Sequence, residues 1–314
     1  MTVVLIGIRD LPELKTLAEA LRGRGEEVVV CDVMDWPGET PLTYAPGDDD
    51  FVADSSFEFS EVTGAYVHVH AVFRTTDMAF REEFKAAHEL RPVFNQWREH
   101  RSVFESLSRM FESRGIDVLP RPHNQYLQEH KPWQLDRYES ADLPIPDTLI
   151  SNDASEVEAF YERHDRVIYK PVAKGAGPSE LTADDLTEER LKRLATAPVQ
   201  FQEMVPGDDL RLYVLDGEVV GAMRYDSENF SFKLDQNEGK EVAVGPADVS
   251  DEIESTAVRA AGAINLQFGA ADIIRRPDGG HVLLELNEAP AFAAADVRAD
   301  QNVAQALADH LAEE

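Results

Sequence analysis

The chain has 314 residues, with 60 acidic against 30 basic side chains and a formal net charge of −30. A surface of that sign repels nucleic acid and anionic lipid, no apolar run approaches bilayer length, and Cys31, the only cysteine, excludes internal disulfides and thiolate metal clusters. The length predicts two or more domains, and the self-repulsion predicts a high-salt cytoplasm, where the screening length falls to about 3 Å at molar salt.

The first segment, Met1-Thr2-Val3-Val4-Leu5-Ile6-Gly7, lacks the basic flank and cleavage site of a signal peptide and predicts a core strand over residues 3–7. An amphipathic helix follows over 11–22, ending near Gly23, then a strand over 27–31. Strand, helix and strand at this spacing imply a right-handed crossover and a parallel sheet. Residues 36–60 are polar with Pro and Gly and read as loop or short strands. A strand over 65–73, a helix over 77–89 and a short strand over 92–95 complete one Rossmann-like half-unit. Neither a G-x-G-x-x-G fingerprint nor a Walker A loop follows the first strand. A helix over 98–113 comes next, so the expected domains are 1–97 and 98–314, the latter divided at 200/201.

Beyond this point the chain reads as strand-rich with a few helices. Lys131 precedes Pro132, where it begins either a turn or a phosphate contact. The buried strand Val167-Ile168-Tyr169-Lys170-Pro171 ends in a lysine. Directly after it, Lys174-Gly175-Ala176-Gly177 is either an ordinary glycine turn or a set of backbone N–H groups and a cation over phosphates. Further strands are predicted over 199–205, 211–215 and 218–225, and helices over 251–262 and 302–311. Lysine is confined to Lys15, Lys85, Lys131, Lys170, Lys174, Lys192, Lys233 and Lys240, several of them in these chemical-looking segments. His68 and His70 share a strand face without an obvious third metal ligand.

The most informative stretch is Ala271-Asp272-Ile273-Ile274, the turn Pro277-Asp278-Gly279-Gly280, and Val282-Leu283-Leu284-Glu285-Leu286-Asn287. It reads as a β-hairpin. A symmetric turn sets Arg276 opposite His281 and Asp272 opposite Glu285, with Asn287 on the Glu285 face. Facing carboxylates repel. The pair is either a solvated edge with chance acids or a site where Mg²⁺, carrying a nucleotide's phosphates, removes the repulsion.

Upstream lies Gln202-Glu203-Met204-Val205-Pro206-Gly207-Asp208-Asp209-Leu210-Arg211, then Ala222-Met223-Arg224. An extended segment here can pair with adenine, a carboxylate take the ribose hydroxyls, and an arginine reach the triphosphate. The order of these motifs from Lys131 to Pro290 resembles the ATP-grasp superfamily, in the branch of RimK-like and peptide-maturation (graspetide-type) ligases. That resemblance implies an α/β (α+β) ATP-grasp fold behind an N-terminal Rossmann-like pre-ATP-grasp domain.

It also implies cofactors and roles: ATP with Mg²⁺, two ions, with Mn²⁺ as an alternative. Lys131, Lys170 and the loop of Lys174, Gly175 and Gly177 would contact phosphates. Gln202, Glu203 and Val205 would form the adenine hinge, and Asp209 would hold the ribose. Asp272, Glu285 and Asn287 would bind metal, while Arg211, Arg224 and Lys233 would face the transferred phosphate or acyl intermediate. Arg211 and Arg224 alternatively pair with surface acids.

The implied chemistry is ADP-forming ligation of a small-molecule or peptide carboxylate to an amine through an acyl phosphate, in a possible homo-oligomer. A kinase acting on a hydroxyl and a non-catalytic nucleotide-binding protein are the alternatives. The chain departs from the family pattern in its short phosphate loop, in Ala270 where some relatives place an arginine, and in the segment from Phe230 to Leu234.

Overall fold

The structure is a computed structural model describing residues 2–33, 41–52, 55–68, 90–173, 177–227, 229, 231–237 and 239–312. It divides into two compact units, one of Met1–Gln125, Ala291–Ala293 and Asn302–Glu314, the other of Tyr126–Pro290 and Ala294–Gln301. Among the described residues no helix is long and apolar enough to cross a membrane.

In the first unit β1 (Thr2–Gly7) lies between β2 (Glu27–Asp32) and β5 (Val62–Val67), and β6 (Asp117–Leu119) flanks β5, all in parallel register. Every residue of β1 is buried, as its unbroken Val-Val-Leu-Ile run requires of a strand covered on both faces. The expected parallel start is therefore present. β3 (Asp50–Phe51) and β4 (Phe57–Glu58) form a small antiparallel pair, and the helices Pro12–Gly23 and Val303–Leu311 pack together.

Two expectations fail here. No strand forms over 92–95; these residues lie in the helix Leu90–Ser113. Pro92 has no N–H to give to a strand ladder, and the amphipathic run after it continues as helix. The boundary expected at 97/98 thus falls inside a helix, and the units part at Gln125 and Tyr126. The rest of the expected strand over 69–73 and the helix over 77–89 lie outside the described residues.

The second unit holds two antiparallel sheets. The smaller runs β7 (Thr148–Ser151), β10 (Val199–Glu203), β8 (Val167–Pro171) and β9 (Ser179–Leu181) in spatial order. The larger runs β13 (Ala243–Pro246), β12 (Glu218–Asp226), β11 (Asp208–Leu215), β14 (Phe268–Arg275) and β15 (His281–Asn287). One face of the larger sheet buries Leu210, Leu212, Ala271, Ile273, Leu283 and Leu286 against the helix Asp251–Ala263. Ser250 starts that helix by accepting the Ile253 N–H at 3.4 Å.

Leu283 and Leu286 could not share a face at strict period two. The register shifts between Asp272 and Ile273, so Ile273 opposes Leu283 while Asp272 opposes Glu285. Leu284 is the extra residue of this bulge.

Candidate active site

The opposite face of the larger sheet carries the polar residues. Asp209 and Arg211 project from β11, Asp272 from β14, and Glu285 and Asn287 from β15. Gly207 admits β11 beside β14, since a Cβ there would stand 2.2 Å from the Arg275 carbonyl oxygen. Arg211 grips Asp272 with two parallel bonds, Nε to Oδ1 at 2.8 Å and Nη2 to Oδ2 at 3.0 Å. Asn287 Nδ2 donates to the same Oδ2 at 3.1 Å. The Tyr225 and Phe232 rings stack 3.7 Å apart, and the Arg211 guanidinium lies 5.6 and 6.0 Å from their centroids.

Among the described residues, three lysines surround Glu285. Lys131 Nζ is 3.2 Å and Lys170 Nζ 4.0 Å from Oε2, and Lys233 Nζ is 3.7 Å from Oε1. They come from three elements: the first turn of the helix Lys131–Ser140, the end of β8, and the helix Phe232–Asn237. Burial would raise the Glu285 carboxyl, but the charges of Lys170, Lys233 and Lys131 outweigh it and hold the group far below the usual carboxylate range. Burial brings Lys170 down to about 8 in spite of Glu285. It also raises Asp209 to about 6, against the Phe232 N–H that donates to its Oδ2 at 3.3 Å.

One cleft is lined by Lys131, Lys170, Gly177, Gln202, Glu203, Val205, Asp209, Lys233, Asp272 and Glu285 together. Most of the residues singled out from sequence therefore converge. The expected facing of Asp272 and Glu285 is present, whereas His281 opposes Arg275 and not Arg276. The turn is one residue longer, with Arg276 N–H donating to Gly280 O at 2.7 Å, and the Leu284 bulge restores the pairing further along. Lys174 and Gly175 lie outside the described residues, as does His70. His68 is buried in the first unit.

Arg224 is not brought to the cleft. It opposes Leu210, while its strand neighbours Met223 and Tyr225 oppose Arg211 and Asp209. Alternation sends it to the far face, where it is half exposed and pairs with Asp226 at 3.4 Å. Of its two alternative readings, the surface pair is the one observed.

Sequence reasoning missed Gln134. Its Nε2 donates to Leu127 O at 2.8 Å and Leu286 O at 3.2 Å, and its Oε1 accepts from Leu286 N–H at 3.0 Å and Tyr138 Oη–H at 2.9 Å. It therefore clamps β15 between Glu285 and Asn287. The apolar lining from Ile168, Met204, Ile274, Leu284 and Phe232 was missed as well. A glutamine on the inner face of an otherwise apolar helical turn, three residues after Lys131, was the available signal.

Among the described residues no three His, Cys, Asp or Glu side chains form a metal nest. The oxygen set on hand is two carboxylates and one carboxamide, and it suits a hard divalent cation. Glu285 Oε2 already faces the Lys131 and Lys170 ammonium groups at 3.2 and 4.0 Å, so this carboxylate stays ionised, as a metal ligand must.

Two antiparallel sheets carrying a lysine-ringed pair of acids beside an apolar slot define the class as ATP-grasp. The chain belongs to the RimK-like ATP-grasp family, whose model matches residues 125–311. It is similar to the ATP-grasp ligase PsnB, solved with a phosphomimetic variant of minimal precursor, Mg and ADP, at 29% identity and TM-score 0.86 over 98% of this chain and 97% of that one. The macrocyclase MdnC of Microcystis aeruginosa MRC, solved with precursor peptide MdnA, shares the fold at 21% identity and TM-score 0.80, covering 100% of both chains. The tetrahydromethanopterin:alpha-L-glutamate ligase of Methanocaldococcus jannaschii is 26% identical over 182 residues, 54% of this chain and 61% of that protein. The match thus spans less than two thirds of that relative.

Proposed function

We propose that this protein is an ATP-dependent, ADP-forming carboxylate–amine ligase. A carboxylate of an amino acid or peptide takes the γ-phosphoryl group of ATP, releasing ADP, and an amine then displaces phosphate from the acyl phosphate to leave an amide. The observation that carries this reading is the convergence of Lys131, Lys170, Lys233 and Arg211 on Asp272 and Glu285 in one buried cleft. Bringing an anionic carboxylate to an anionic triphosphate is chiefly a problem of charge compensation and positioning. That compensation is local, against an exterior at −30.

Lys131 and Lys170 hold the phosphates, and Lys233 with Arg211 faces the transferred group. Glu203 and Val205 offer main-chain groups to adenine, and Asp209 takes the ribose. Asp272, Glu285 and Asn287 would hold Mg²⁺, as two ions or with Mn²⁺ in their place, and the metal would supply charge neutralisation for the phosphates. The buried walls exclude water, to which an acyl phosphate is vulnerable. The precursor peptides bound by PsnB and MdnC support a peptide as one substrate.

A coupled ADP-release screen in molar KCl, over amino acids and short peptides, tests the proposal. Release is expected with the right pair and is lost in Asp272→Asn and Glu285→Gln. Full turnover in those variants, still folded, overturns the site. A stable phosphorylated product without released phosphate would mean a kinase instead, and ATP binding with no ADP from any mixture a non-catalytic protein.

A further inference from the structure

The lysines that meet Glu285 are held in different ways. The side chains of Lys131 and Lys170 are 13% and 11% exposed, whereas that of Lys233 is 41% exposed. Packing fixes the first two. A half-exposed lysine gives up its ion pair to side-chain entropy unless its backbone is held in place. That backbone belongs to the polar connection between β12 and β13.

Asp235, two residues beyond Lys233 in the helix Phe232–Asn237, gathers this connection. It is 2% exposed. Its Oδ2 accepts from Ser227 Oγ at 2.5 Å and from the Asn229 N–H at 3.3 Å. Its Oδ1 accepts from Asn229 Nδ2 at 2.6 Å and from Lys240 Nζ at 3.1 Å. The Lys240 N–H also donates to the Asp235 carbonyl oxygen at 2.9 Å. One residue thus ties the chain before the helix to the chain after it. A buried carboxylate carries a desolvation cost that an apolar side chain avoids; four directed donors give a fixed geometry in return.

Phe232 and Lys233 line the nucleotide cleft, and Asp235 does not. The helix delivers two groups there: Lys233 Nζ, 3.7 Å from Glu285 Oε1, and the Phe232 N–H, which donates to Asp209 Oδ2 at 3.3 Å. We propose that Asp235 is a positioning residue, which sets Lys233 at the γ-phosphoryl end of the cleft without touching the ligand. Without its carboxylate the segment loses its cross-tie, and Lys233 turns to solvent.

This inference rests on the nucleotide reading above and on the place given there to Lys233, and its test separates the three. Calorimetric titrations with ADP and with the non-hydrolysable ATP analogue AMPPNP, both with Mg²⁺, compare the wild-type chain, Lys233→Met, Asp235→Ala and the double variant. The ratio of the two affinities reports the γ-phosphoryl end, because contacts to the rest of the nucleotide cancel. Lys233→Met is expected to weaken AMPPNP relative to ADP roughly tenfold. Asp235→Ala is expected to do so almost as far, and the double variant no further than Lys233→Met alone, because coupled residues are not additive. Additive losses, or a ratio that Lys233→Met lowers and a folded Asp235→Ala leaves unchanged, overturn this inference alone. A ratio unmoved by Lys233→Met overturns the place of Lys233 and this inference with it. Binding of neither nucleotide by the wild type overturns the nucleotide reading as well. If Asp235→Ala does not fold, Ser227→Ala, which removes one of the four donors, takes its place. A ratio lowered roughly two- to threefold then supports the inference, and an unchanged one overturns it.

Discussion

Arg211 and Asp272 are cross-strand neighbours on β11 and β14, joined by two hydrogen bonds and both almost wholly buried. Removing one partner strands the other's charge in a low-dielectric site. Arg211→Ala is therefore expected to lose about 3–5 kcal/mol of stability. The double variant Arg211→Met with Asp272→Leu, which removes both charges, is expected to recover much of it. Denaturant midpoints of the three chains decide this; a double variant as unstable as the single would contradict it.

Gln134 makes four hydrogen bonds at the back of the cleft, two of them to the main chain of Leu286. Gln134→Leu leaves those Leu286 groups unpaired, at about 1–3 kcal/mol. The loosened strand also carries Glu285 and Asn287, so turnover is expected to fall about tenfold or more. Thermal melts and ADP-release rates on one preparation check both effects. Loss of stability with unchanged kcat would mean that the clamp does not position the acids.

Asp209 supplies a pH dependence with a definite sign. Burial raises its folded pKa to about 6, while an unfolded aspartate titrates near 4. Between those values the folded state binds the extra proton, so wild-type stability falls as pH rises through the window. Asp209→Asn removes that loss and still offers an acceptor to the Phe232 N–H. The variant is expected to melt alike at pH 4 and higher than wild type at pH 8, by roughly 3 kcal/mol at most, while binding nucleotide more weakly. A gap that widens toward acid would refute the assignment.

The charge of −30 predicts a salt response. Raising KCl from 0.1 to about 2 M shortens the screening length from about 10 Å to 3 Å or less. The melting temperature is expected to climb across that range, with most of the gain below molar salt. A flat or falling profile would show that the acids are not self-repelling in the fold.

How far the sequence is legible depends on the range of the interaction that sets each feature. The buried parallel start, the later strands and the acid-bearing hairpin follow from local patterning, because apolar runs and turn residues act within a few positions. The Asp272–Glu285 pairing was reached through a symmetric turn, yet the chain attains it with a longer turn and a bulge. Two offsets cancelled, and only the acids came out in place. Arg211 and Arg224 look equivalent in sequence. The register of β11 against β12 separates them, sending one into the cleft and the other to solvent.

The chain by itself determined its acidic surface, its alternating N-terminal order and the residue types that can meet a metal and phosphates, since these follow from composition and short-range pattern. Tertiary structure alone decided which lysines surround Glu285 and that Gln134 braces the strand behind it. Those outcomes depend on groups distant in sequence sharing one desolvated space, where burial sets both the strength of their charges and the cost of leaving one unmatched.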